Sequence, residues 1–262
     1  MVLAATVICG ASVFTSCKKD EDNSLKLEEK IIGKWIIADI NGQPTLTNIK
    51  EVFTFASTTK AYISASTAQT PEGGSRWDKQ MEADVVIDGN KMTLTSHPFE
   101  NAILVHEFTI TAINGSEFTA NHKITTTVND NVVISREDVV RYVKVTADYA
   151  EPILGLWECQ ELTGIETYND GNDRLEFFAD GTYNYWRKND AGEWEAVTNR
   201  EFQNYFVDGT LLATRWKNQG EEELREWWEI ASISNGVMNW TALRQKPDGS
   251  TVTQTMTWVK VQ

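Results

Sequence analysis

From Leu27 onward the chain alternates apolar and polar residues in short runs, cut by Asp-Gly, Asn-Gly and Pro-Asp-Gly pairs. Strict alternation marks a strand with one buried face, whereas a helix repeats its apolar positions every three to four residues. In the second half the breaks fall at Asp180-Gly181, Asn189 to Gly192, Asp208-Gly209, Asn218 to Glu221, Asn235-Gly236 and Pro247-Asp248-Gly249. Asp-Gly and Asn-Gly supply the positive φ that tight hairpin turns demand. With a longer loop after Gly164 that makes seven connections, and therefore about eight strands. Sequential hairpins make neighbours in sequence neighbours in the sheet. A meander of eight short strands removes its edges by closing into an up-and-down barrel. An immunoglobulin-like sandwich is the alternative, but it needs crossing connections for which these turns leave little room.

The pattern occurs twice. "IIGKWIIADING", beginning at Ile31, matches "ILGLWECQELTG", beginning at Ile153, and sets Gly33 on Gly155, Trp35 on Trp157 and Gly42 on Gly164. The same offset aligns Phe53 and Phe55 with Leu175 and Phe177, and Phe118 with Trp240. "YVKV" from Tyr142 meets "WVKV" from Trp258. Turn signals recur in order, Asp88-Gly89 with Asp208-Gly209 and Asn114-Gly115 with Asn235-Gly236. The fold class is therefore all-β, with tandem barrels over residues 27–146 and 150–262. The joint lies near Thr146 to Pro152, where few contacts should cross and a protease should cut first.

Alternation also assigns faces. With Leu175 and Phe177 inward, so are Tyr183, Tyr185, Leu212, Trp216, Trp228, Ile230 and Trp240, while Trp186 and Trp227 point outward. Ala61, Ile63, Ser96, Phe108 and Phe118 stand at comparable places in the first copy. Of ten tryptophans only Trp35 and Trp77 belong to that copy. An eight-stranded barrel has an interior that side chains can just fill or that holds one small ligand. Tyr183, Tyr185, Trp216, Trp228 and Trp240 are the candidate ligand-binding residues. Filled core is the competing expectation.

The N-terminus reads as an address. Residues 1–16, MVLAATVICGASVFTS, carry no charge and end in small residues, as a cleaved signal peptide does. Phe14-Thr15-Ser16-Cys17 resembles the lipobox of bacterial lipoproteins, which implies that Cys17 is lipidated. Residues 17–26 then form a flexible tether, because Lys18 to Asn23 holds no apolar residue. A lysine followed by acids after the cysteine is similar to the surface-export signal of lipoproteins in some Gram-negative gut anaerobes. The resemblance implies a lipid anchor in the outer membrane facing the cell surface, with the periplasmic face as the alternative.

Gly33-x-Trp35 and Gly155-x-Trp157, each opening the first strand of a meander, resemble the signature of lipocalins and related calycins. "LEFFADGTYNY", from Leu175, resembles strands two and three of short lipocalin-like domains in bacterial lipoproteins. The resemblance implies a tryptophan plugging one barrel end and a basic residue over its indole, here Lys144 and Lys260.

Charge and chemistry narrow the function. The formal net charge of -14 argues against nucleic acid and anionic membrane as partners, since both need a basic face. Once Cys9 is cleaved off and Cys17 acylated, Cys159 is the remaining thiol, so no intramolecular disulfide forms. His97, His106 and His122 show no metal-ligand spacing and read as ordinary strand residues. No nucleophile–base pair, metal cluster or phosphate loop appears, so neither an enzyme nor a cofactor is expected. The acidic run Glu221 to Glu223 reads as a solvated hairpin tip. The expected function is non-catalytic binding of a small apolar or aromatic ligand. The alternative is a glycan-binding accessory using outward Trp186, Trp194 and Trp227, or a structural lipoprotein that contacts unknown protein partners.

Overall fold

A computed structural model describes residues 27–67, 76–164 and 172–261. The signal peptide, Cys17 and the tether lie outside the described residues.

The first sheet runs β1 (Gly33–Ile40), β2 (Gln43–Pro44), β3 (Glu51–Phe55), β4 (Lys60–Thr67), β5 (Arg76–Asp88), β6 (Lys91–Ser96), β7 (Ala102–Ile113), β8 (Glu117–Val128) and β9 (Asn131–Val145). Every ladder is antiparallel. β9 returns to β1 from Lys34↔Val145 to Ile40↔Val140, which closes the barrel. β2 is a two-residue spur on β1 and takes no part in closure.

The second sheet runs β10 (Gly155–Thr163), β11 (Asp173–Phe177), β12 (Tyr183–Lys188), β13 (Trp194–Ala196), β14 (Arg200–Asp208), β15 (Leu211–Asn218), β16 (Glu223–Ser234), β17 (Val237–Gln245) and β18 (Thr251–Lys260). It has nine strands in the order β13-β12-β11-β10-β18-β17-β16-β15-β14, one more than the turn count suggests, because the short β13 folds back on β12. Among the described residues its two ends are joined by a single bridge, Thr182↔Asn204. Two bonds support it: the Tyr205 N–H donates to the Gly181 carbonyl at 2.8 Å, and the Tyr205 hydroxyl to the Phe178 carbonyl at 2.8 Å. The sheet therefore curls like a barrel but keeps an open seam beside β13 and β14.

Local irregularities repeat along with the strands. β1 slips register between Ile37 and Asp39, and β10 does so between Cys159 and Glu161, the equivalent positions. A bulge bends its strand and increases the local twist, so the same bend starts each barrel. Before each first strand one turn of chain tucks an isoleucine under the barrel. Ile31 N–H donates to the Leu27 carbonyl at 2.9 Å and Ile153 N–H to the Tyr149 carbonyl at 3.1 Å. Both isoleucines are fully buried.

The joint is not sparsely held. The expectation that few contacts cross it fails, because the faces of the two barrels are complementary. Ile36, Val52 and Leu211 form one buried apolar cluster, with Val143 and Val145 against it. Asp208, 1 % exposed, accepts from Lys34 and, at 2.5 Å, from Ser64, while Lys34 also reaches Asp148 at 2.8 Å. Lys50 pairs with Glu229 at 2.5 Å, and the Leu243 N–H donates to Thr47 Oγ1 at 2.8 Å. Arg225 donates to the carbonyls of Thr67 and Arg76. The connecting segment is itself bonded, from Tyr149 N–H to the Gly209 carbonyl at 3.1 Å, and Tyr149 and Ala150 pack on the second core.

Candidate functional site

Each barrel is plugged at one end in the same way. The Trp35 Nε1 donates to the Ile31 carbonyl and the Trp157 Nε1 to the Ile153 carbonyl, both at 2.6 Å. Lys144 Nζ lies 5.2 Å from the Trp35 ring centroid and Lys260 Nζ 5.1 Å from that of Trp157. Gly33 and Gly155 adopt φ of 123° and 108°, a left-handed region that disfavours a side chain. A Cβ there would stand 3.0 Å and 3.2 Å from the lysine Cε atoms, so the glycine also makes room for the lysine stem.

Above the plug the interiors diverge. In the first barrel Trp35 meets Phe118 edge-on at 5.2 Å, Phe118 stacks on Tyr142 at 4.9 Å, and Phe53 contacts Phe108 at 5.8 Å. His106 and His122, expected to be unrelated strand residues, in fact meet inside this barrel. Nδ1 of His106 is 3.0 Å from Nε2 of His122, and Phe108 stacks on His122 at 4.1 Å. The turn at Asn114-Gly115 folds β7 onto β8 and makes the two positions diagonal neighbours. Burial holds both rings neutral, His106 well below the usual imidazole range and His122 at about 3, where the nearby Arg136 adds to the effect and Asp138 opposes it. Glu51 is pushed up by burial, and its bond from the Tyr142 hydroxyl at 2.7 Å pulls the other way.

In the second barrel the same space holds a cavity of 410 Å3. Tyr183, Tyr185, Trp216, Trp228 and Trp240 all line it, each brought there by strand alternation on β12, β15, β16 and β17. The inward direction inferred from alternation missed Trp258 and Met256 of β18, which stand on the same face and complete the floor. Trp240 contacts Trp228 at 5.7 Å and Trp258 at 4.9 Å. Burial grades along the cavity. Trp228, Trp240 and Trp258 are 2–3 % exposed, Tyr185 and Trp216 are half-buried, and Arg187, Asn199 and Glu226 are exposed at the mouth.

The mouth carries the polar groups. Asp173, 2 % exposed, accepts from the Tyr185 hydroxyl and from Arg187 Nε at 3.4 Å. Trp228 Nε1 donates to Glu226 at 3.4 Å, and the Arg244 guanidinium lies 5.0 Å from the Trp228 ring. Burial pushes the Tyr183 phenol up, with the positive Arg200 opposing.

Of the three outward tryptophans, Trp194 and Trp227 are engaged, while the buried Nε1 of Trp186 has no hydrogen-bond partner among the described residues. Trp227 faces away from the second barrel, and its Nε1 donates to the Ser66 carbonyl of the first at 2.8 Å. Trp194 has Arg174 at 4.1 Å and Lys188 at 4.8 Å from its ring centroid. A larger cleft of 740 Å3 opens outside, where the barrels meet. Its Trp77 already contacts Phe206 at 4.9 Å, Arg215 at 4.7 Å and Arg225 at 5.5 Å, which leaves little aromatic face for a ligand. Among the described residues no group of three or more His, Cys, Asp or Glu is placed to hold a metal ion.

Fold and cavity together define a tandem pair of antiparallel meander barrels, one closed and packed, the other seamed and hollow. This architecture is consistent with tandem lipocalin-like domains. No protein-family model matches the chain, and no curated protein is similar enough to count as a match.

Proposed function

We propose that this is a non-catalytic binding protein of the bacterial envelope, held to the outer membrane by lipid on Cys17 and exposed at the cell surface. Its second barrel takes a small apolar or aromatic molecule. One observation carries the binding part of this reading: the five inward aromatics of the second copy converge on one cavity, while the equivalent space in the first copy is occupied by packed rings. A cavity of 410 Å3 is within the range of about 300–1,000 Å3 that small-molecule sites occupy. The interior is favoured over an external glycan platform because Trp227 is already committed to the contact between barrels.

Titration with phenylnaphthylamine, a neutral dye that brightens in apolar surroundings, tests the reading. The parent should bind one dye per chain, and Trp228→Ala or Trp240→Ala should weaken it. Absence of saturable binding in the parent would refute the cavity as a ligand site. The anchor is tested separately by Cys17→Ser, which should abolish incorporation of a fatty-acid label and release the protein from membranes.

A further inference from the structure

The apolar floor of the cavity accounts for affinity toward any ring or chain, but its mouth is built for something more specific. Among the described residues three charged side chains line the cavity, Arg187, Arg200 and Glu226. Arg187 is matched by Asp173 at 3.4 Å. Glu226 accepts from Trp228 and acts on the neighbouring Arg244. Arg200 differs from both. Its Nη1 donates to the neutral amide of Gln203 at 2.7 Å, and among the described residues no carboxylate pairs with it. Its Nε is buried and has no hydrogen-bond partner there. The guanidinium is held in place by two rings of the cavity wall, 4.8 Å from the Tyr185 centroid and 5.3 Å from that of Trp216.

This arrangement is unusual in a chain of net charge -14, where surface arginines readily meet acids, as Arg174 meets Glu158 and Arg187 meets Asp173. A guanidinium whose plane is fixed against aromatic faces loses little freedom when it binds an oxyanion, and its edge presents parallel N–H donors. The Nε1 atoms of Trp240 and Trp258 are also buried without acceptors, so these indoles meet the cavity through their apolar faces.

We infer that the ligand is an amphipathic organic anion, with an apolar ring or chain on the Trp228–Trp240–Trp258 floor and a carboxylate or sulfonate at Arg200. The inference rests on the cavity being the binding site, and it adds a charge requirement that a purely apolar ligand would not meet. Arg200 is the group that selects. Arg187 is held by Asp173 and contributes through the field at the mouth.

The experiment compares two dyes that share one aromatic body, anilinonaphthalenesulfonate and its neutral parent phenylnaphthylamine, on the full-length chain. The parent protein should prefer the sulfonate, and added salt should weaken only the sulfonate, because screening acts on charge. Arg200→Gln should lower sulfonate affinity by roughly tenfold or more, the scale of a charge-assisted hydrogen bond, and lower that of the neutral dye far less. Arg200→Lys, which keeps the charge, should recover part of the loss and guards against a variant that fails to fold. Equal binding of the two dyes, or an equal fall of both in Arg200→Gln with the circular dichroism intact, would overturn the anion requirement while leaving the cavity reading standing. Failure of the parent to bind either dye would overturn both.

Discussion

The two barrels begin identically, with the same buried isoleucine, the same tryptophan plug under a lysine and the same bulge in the first strand. They part above the plug. The first closes β9 onto β1 along six register pairs and fills its interior with Phe53, Phe108, Phe118, Tyr142 and the histidine pair. The second holds its ends by one bridge and leaves 410 Å3 between its tryptophans. Large aromatics therefore do not by themselves fill a barrel. Phe and Tyr at spacings that let rings meet edge-on pack the first, whereas bulky indoles arranged around the second wall off a space.

The interface explains how a seamed barrel keeps its shape. Along β16, Arg225 and Trp227 point out and grip the first barrel, while Glu226 and Trp228 point in and line the cavity. The packed barrel thus braces the wall of the hollow one two strands away from the open seam.

The sharpest break in the comparison is truncation of a ring. Phe108→Ala, in the packed barrel, should cost roughly 3–5 kcal/mol, because its neighbours cannot collapse into the space. Trp216→Ala, half-buried at the cavity mouth, should cost about 1 kcal/mol, since one side of the indole already faces open space. Equilibrium denaturation of both variants checks the contrast, and equal losses would mean that both barrels are filled.

Second in size is the brace. Asp208→Ala leaves Lys34 half-buried with only the exposed Asp148, and should cost about 2–3 kcal/mol. The same variant should make the segment from Thr146 to Pro152 cleavable by protease, whereas the parent resists there. Rapid cleavage of the parent at that joint would show that the barrels are independent.

Acid should act first on the first barrel. His122 titrates near 3 when folded and near 6.5 when free, so the unfolded chain binds more protons between those values. Its contribution is complete above pH 6.5 and is lost as pH falls towards 3, at about 1.4 kcal/mol per unit. The buried His106 shifts in the same direction. The double variant His106→Phe, His122→Phe should flatten the stability profile between pH 6.5 and 4. An unchanged slope would locate the acid sensitivity elsewhere. The smallest effect expected is that of Trp227→Phe, which removes one hydrogen bond to Ser66 and should cost about 1 kcal/mol in denaturation.

Much of this was legible in the sequence wherever the cause is local. Turn chemistry marks Asp88-Gly89, Asp208-Gly209 and Asn235-Gly236, and alternation points Tyr183, Tyr185, Trp216, Trp228 and Trp240 to one face. The Gly-x-Trp pairs follow from the repeat, and the lysines over their indoles from the resemblance to lipocalins. Features that depend on distant residues were not legible. Asp208 finds Lys34 and Ser64 only once both barrels exist, so alternation alone presents it as a turn residue. The His106–His122 contact needs the bulge between Ile110 and Ala112, which shifts the register of the hairpin. Arg200 stands where β14 starts, and its place over Tyr185 depends on the seam that no turn signal announces. Trp227 was correctly turned outward, yet outward here means into the other barrel.

The difference between the interiors can be measured by adding a side chain to each. Thr214→Phe places a ring in the cavity wall of the second barrel, and Ser96→Phe places one in the core of the first. The measurement is the unfolding free energy of each variant against the parent. Thr214→Phe should stay within about 1 kcal/mol of the parent, while Ser96→Phe should lose about 1–3 kcal/mol by overpacking. Equal destabilisation at the two sites would contradict a hollow second barrel beside a filled first one.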